Sequence, residues 1–114
     1  MNKICTDIQQ SQKLIELGVD INTADMFWDT LFAKNPEAQV NNHHLVDEYD
    51  DEHRVPAWSL TALLDILPTG KVLLHDKGNH GYKCICNNID SYYFNNPVDA
   101  CYDMILKLHE QKIL

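Results

Sequence analysis

The sequence predicts an α+β fold: a small antiparallel meander of two or three strands packed against about three helices. Three observations carry this. The most apolar run, Pro56 to Pro68, sits mid-chain with helical spacing and a proline at each end. Two strand-like runs, Lys71–His75 and Tyr82–Cys86, flank a glycine-containing loop. The segments at residues 6–17 and 97–111 combine helical periodicity with clear end signals. At 114 residues the chain is expected to form a single domain, 1–114.

Helix 6–17 is expected to open on a capping box, with the Thr6 hydroxyl at the cap and Gln9 three residues on. Ile8, Ser11, Leu14 and Ile15 would face inward. Gly18 suits the left-handed position after the helix, and Val19 can touch back on Leu14. Residues 19–28 read as a turn or short extended piece. A turn of helix follows toward Ala33, ended by Asn35-Pro36. Residues 36–55 read as one exposed acidic loop, and loops of that length are usually functional or disordered.

The central helix is expected over 59–67. Ser59 caps it, Leu60, Leu63, Leu64 and Leu67 form its stripe, and Pro68 stops it. Trp58 is placed to fold onto that stripe. In the hairpin, Tyr82, Cys84 and Cys86 share one face and Lys83 and Ile85 the other. Ser91–Phe94 is expected as the third strand, joined through Asn87–Asp90. The last helix takes Asn96 as its cap, Pro97 at its first position and Asp99 in its first turn. Val98, Cys101, Tyr102, Ile105, Leu108 and His109 make its stripe. The expected core is Leu14, Ile15, Trp58, Leu60, Leu63, Leu64, Leu67, Leu73, Ile85, Phe94, Cys101, Ile105 and Leu108.

Charge narrows the function. There are 17 acids against 9 bases, a net charge of −8. Glu37–Arg54 holds six acids and one base, and so five of those eight charges. This argues against nucleic acid, whose recognition needs Lys and Arg to replace counterions, and against an anionic membrane surface. No apolar run is long enough to span a bilayer. Met1–Asp7 has no apolar signal region, so a cytoplasmic location with reduced thiols is expected.

Three chemistries are weighed against blander readings. Cys84 and Cys86, with His75 or His80, would supply soft and borderline zinc ligands. Their one-residue spacing on a strand fits core packing better. His43, His44, Asp47, Asp50, Asp51 and His53 carry donors for a divalent cation but lack the glycine and alternation of a calcium loop. For catalysis, Ser59 lies in no nucleophile elbow. Cys5 and Cys101 have no defined base, and Asp65, Asp99 and Asp103 read as helix-surface charge. Gly78 and Gly81 belong to a hairpin and not to a phosphate loop. Leu60–Leu64 spells an LxxLL pattern, but its leucines are needed for the core. Imitation of nucleic-acid charge would need the acids spread as a stripe, and here they cluster in one loop.

Cys5-Thr6, Gln10-Ser-Gln-Lys-Leu14, Glu16-Leu-Gly18, Thr23-Ala-Asp-Met26, Pro56-Ala-Trp-Ser-Leu60, Ala62-Leu-Leu64, Leu67-Pro68, Ala100 and Met104 together resemble a family of small uncharacterised proteins. Gut Bacteroidetes encode that family, often in phage-like or mobile regions. The resemblance implies a bacterial cytoplasm and a mobile-element accessory gene, and it brings no catalytic residue, cofactor or site. The expected function is therefore a non-enzymatic accessory protein that binds another protein, as monomer or homodimer and without a cofactor. The contact would be Asp47, Glu48, Tyr49, Asp50, Asp51 and Glu52, flanked by Phe27 and Trp28. The alternative is a small metal protein or enzyme built on Cys84, Cys86 and His75 or His80.

Overall fold

Helix α1 (Ile8–Glu16) begins one residue later than its first cap signal. Two overlapping capping boxes are written here, Thr6 with Gln9 and Asp7 with Gln10, and the second is the one used. The Asp7 carboxylate accepts from the Gln10 N–H at 2.7 Å, and the Gln10 side chain accepts from the Asp7 N–H at 3.0 Å. Thr6 cannot cap because its hydroxyl is committed inside. It shares a 2.7 Å hydrogen bond with the Ser11 hydroxyl and accepts from the Trp58 N–H at 3.1 Å. The helix ends as expected. Gly18 has φ +92°, and the Val19 N–H donates to the Leu14 carbonyl at 3.1 Å, closing a Schellman turn.

The computed structural model describes residues 3–29, 37–40, 54–76 and 81–114. Its backbone contacts divide the chain into two compact units, Cys5–Ala62 and Met1–Ile4 with Leu63–Leu114. The α+β class holds, with three α-helices and two antiparallel sheets among the described residues.

In Cys5–Ala62, α1 is followed by a single 3₁₀ turn (Ile21–Thr23) and strands β1 (Met26–Asp29), β2 (Glu37–Val40) and β3 (Arg54–Ala57). Their order is β2-β1-β3, with both neighbours antiparallel to β1. This sheet corrects the expected loop over 36–55, whose two ends are strands. Pro56 is tolerated in β3 because β3 is an edge strand, where one side of the backbone needs no partner. Cys5, Leu14, Phe27, Ala57 and Trp58 are buried in this unit. The Trp58 indole N–H donates to the Thr23 hydroxyl at 2.9 Å, and the Trp28 indole N–H donates to the Thr6 carbonyl at 2.8 Å.

Thr6 thus serves three partners, its backbone N–H also donating to the Trp58 carbonyl at 2.9 Å. Thr6→Val keeps the shape but strands the Ser11 hydroxyl and the Trp58 N–H in the interior. We expect it to cost about 1–3 kcal/mol in a denaturant titration. A change within about 0.5 kcal/mol would mean the hydroxyl is dispensable.

Helix α2 (Leu60–Ile66) starts at Ser59 as expected, the hydroxyl accepting from the Ala62 N–H at 3.3 Å. A second device was not expected: the Asp25 carboxylate accepts from the Ser59 N–H at 2.9 Å and from the Ser59 hydroxyl. The boundary between the units falls inside this helix, after Ala62.

The other unit holds β4 (Val72–Asp76), β5 (Gly81–Cys86), β6 (Ile89–Asp90) and helix α3 (Pro97–Glu110). This is the expected meander, in the order β4-β5-β6, with Leu73 opposite Cys84 and His75 opposite Tyr82. The third strand starts earlier than Ser91. Asn87 (φ 52°) and Asn88 (φ 66°) are both left-handed, as a two-residue type I′ turn requires, so pairing begins at Ile89 opposite Cys86. It resumes at Tyr82–Phe94 one residue out of step, a bulge between Ser91 and Phe94. Ser91 fills the break. Its hydroxyl accepts from the Cys84 N–H at 2.8 Å and donates to the Tyr92 carbonyl at 2.8 Å.

Helix α3 starts as the sequence predicts, with the Asn96 side chain accepting from the Asp99 N–H at 2.8 Å. Asp99 also pairs with Lys3 at 2.7 Å. Val98, Cys101, Ile105 and Leu108 are buried as expected, and Ala100 and Met104 join them. The expected core needs one correction and several adjustments. Ile15 is exposed, because Ser11 and Leu14 set the inward side of α1 and Ile15 is turned about 100° from Leu14. Leu60, Leu64, Leu73, Ile85 and Phe94 are only partly buried.

Candidate functional site

The expected contact residues Asp47, Glu48, Tyr49, Asp50, Asp51 and Glu52 lie outside the described residues, as do His43, His44, His53 and His80. The structure describes the residues on either side of segment 41–53. They are Val40 on β2 and Arg54 on β3, the strands on either side of β1. Val40 pairs with Met26 and Arg54 with Asp29, so they also lie at opposite ends of β1. The Arg54 guanidinium stacks over the Phe27 ring, 4.5 Å from its centroid.

Of the aromatic flank expected beside this segment, Phe27 is corrected: it is buried beneath Arg54 and serves the interior of the unit. The Trp28 indole is half-buried and hydrogen-bonded to Thr6.

The second candidate is the thiol group on the meander. β5 alternates as expected, and Cys84 and Cys86 are both buried. His75, two residues along from the partner of Cys84, is exposed and stacked flat on Tyr82, ring centroids 4.2 Å apart. Among the described residues, no group of three or more His, Cys, Asp or Glu side chains is arranged to hold a metal ion. The partner that the sequence reading missed is Cys101. It is buried on α3, which packs on β5, and the Cys84 and Cys101 thiols perturb each other's ionisation. The expected core includes Cys101 but takes Ile85 and not Cys84 from β5, and which strand position meets which helix position is a tertiary fact. The fourth cysteine, Cys5, is buried in the other unit.

The pair is electrostatically unequal. The hydrogen bond from Cys101 holds the Cys84 thiol below the ordinary thiol range against the opposing cost of burial, with the Lys71 charge helping. The same bond, with burial, pushes the Cys101 thiol far up. Burial and the neighbouring Cys84 raise the Cys86 thiol.

The remaining polar candidates are engaged in structure. Ser59 caps α2 and binds Asp25. Asp99 accepts from Asn96 and Lys3, and Asp103 pairs with Lys107 at 3.4 Å. Among the large apolar side chains, Tyr92 is 71% exposed. It lies under the Lys107 ammonium, 4.0 Å from the ring centre. No family model, curated protein or solved structure matches the chain. Among the described residues, no helix is long and apolar enough to cross a membrane.

Proposed function

We propose that this chain is a non-enzymatic accessory protein that binds another protein through Asp47, Glu48, Tyr49, Asp50, Asp51 and Glu52. The observation that supports the reading is that the residues flanking the cluster, Val40 on β2 and Arg54 on β3, are both strand-paired, at opposite ends of β1. A charge cluster tethered at both ends loses less freedom on binding than one on a free tail. With five net negative charges between Glu37 and Arg54, it would attract a basic protein surface and speed encounter with it. A net charge of −8 sets the chain against nucleic-acid phosphate. The family resemblance supports a bacterial cytoplasm and an origin in a phage-like element.

The test is charge reversal. Asp50→Lys with Asp51→Lys should abolish capture of the partner and leave the midpoint of thermal unfolding within about 2 °C of wild type, as surface changes do. Unchanged capture by the double variant contradicts the proposal.

A further inference from the structure

We propose that the open edge of β4 is a self-association site, where β4 of one copy pairs antiparallel with β4 of a second copy about a two-fold axis. Among the described residues β4 pairs with β5 alone. The far side of β5 shows which way the backbone groups of β4 point. The Cys84 carbonyl accepts from the Ser91 N–H at 2.8 Å, and Tyr82 exchanges two backbone hydrogen bonds with Phe94. Cys84 and Tyr82 therefore turn their backbone groups away from β4. Antiparallel bonding alternates, so β5 bonds β4 at Val72 and Leu74. The N–H and carbonyl groups of Leu73 and His75 then point off the open edge.

Three observations favour a second copy as the occupant. First, β4 lacks the devices that blunt an edge. Strand β3 holds Arg54 and Pro56, β2 begins with Glu37, and β6 is two residues long. Strand β4 has no proline and no lysine, and its one acid, Asp76, is its last residue. Second, the strand is complementary to itself. Val72 and Leu74 are exposed on the same face. Pairing centred on Leu73 sets Val72 of each copy beside Leu74 of the other, twice over, at positions where side chains come closest. The groups of Leu73 then bond across the axis. Centring on Leu74 would instead set Val72 opposite Asp76. Third, residues 71–94 hold Lys71, Lys77 and Lys83 against Asp76 and Asp90, a near-neutral stretch in a chain of net charge −8. Two copies meet there without the repulsion that their total charge implies.

Sedimentation velocity on the full chain tests this. An interface of one strand pair is small and transient, so monomer at about 1 µM should give way to dimer toward about 300 µM. Val72→Lys should stay monomeric throughout, with its unfolding midpoint within about 2 °C of wild type. The register is read by mixing Val72→Cys and Leu74→Cys chains under a mild oxidant. The four native thiols are buried, so the introduced ones are those presented at the edge. The mixture should yield disulfide-linked dimer at least about tenfold faster than either variant alone, because only unlike positions lie opposite. A wild-type chain that is monomeric at every concentration overturns the proposal and leaves the edge to a strand of a different protein. A dimer that Val72→Lys leaves intact, or Leu74→Cys linking to itself as fast as the mixture, overturns it as well.

Discussion

Replacing Gly81 by alanine should cost about 2–5 kcal/mol and unravel the join between β5 and the strand that follows it. Two effects act together. The backbone at Gly81 is left-handed, φ +82°, which costs an L-residue about 1–2 kcal/mol. A β-carbon there would also overlap the Phe94 carbonyl oxygen, with the Asn95 Cα a further 3.3 Å contact. Neither is the free end of a flexible side chain, so the backbone itself must move. The contact is close because Tyr82 and Phe94 exchange backbone hydrogen bonds of 2.6 and 2.8 Å beside the bulge. Gly81→Ala therefore threatens two hydrogen bonds as well as the turn. Hydrogen exchange followed by mass spectrometry should show protection lost over residues 81–94 first. Gly18 and Gly70 have the same φ, +92°, with open space around the missing side chain, so alanine there should cost only the backbone term. Equal losses at Gly81 and Gly70 would show that the Phe94 contact contributes nothing.

Trp58→Ala should lower stability by about 3–5 kcal/mol, the usual range for deleting a large buried aromatic. Trp58 is fully buried, and its indole N–H is the partner of the Thr23 hydroxyl. Its backbone is tied to Thr6 in both directions, so its removal loosens the residues that bring the start of α1 to the end of β3. Domains of this size have about 5–15 kcal/mol in total, so the variant should lie near the edge of folding at 37 °C. The remaining tryptophan, Trp28, reports on the same unit through its bond to the Thr6 carbonyl. Its emission should shift to longer wavelength in the variant. A loss under about 1 kcal/mol with unchanged Trp28 emission would contradict the placement of Trp58 at the centre of that core.

The sequence was readable where the signal is local and opaque where it is not. Asn96, Pro97 and Asp99 define the start of α3 within four residues, and Gly18 defines the end of α1 alone. Ser59 was recognised as a cap for the same reason, while Asp25, its partner from 34 residues away, was invisible. The sheet β2-β1-β3 went unseen because its strands are four residues each and pair across long separations, Met26 with both Val40 and Ala57. Nothing in Met26–Asp29 alternates, and Pro56 argues against a strand until one knows that β3 is an edge. The cap of α1 slipped by one because two boxes overlap and only tertiary contacts at Thr6 choose between them.

The candidate sites divide in the same way. Alternation put Cys84 and Cys86 on one face of β5, but the expected core took Ile85 from the other face; the structure buries the two cysteines and leaves Ile85 half-buried. That Cys101 and Cys84 would act on each other follows from packing α3 on β5, which no period reveals. The acidic cluster was legible from composition alone. The strands on either side of it were not, since they pair across long separations that composition conceals.

The most direct test of the binding account is to place a photo-crosslinking residue at Tyr49 in one version of the chain and at Tyr92 in another. Tyr49 lies among the acids, whereas Tyr92 is the most exposed large apolar side chain among the described residues. The account predicts a single covalent adduct from Tyr49, of the same mass as the captured partner, and none from Tyr92. An adduct from Tyr92 with none from Tyr49 would contradict it and move the contact to the edge of the meander.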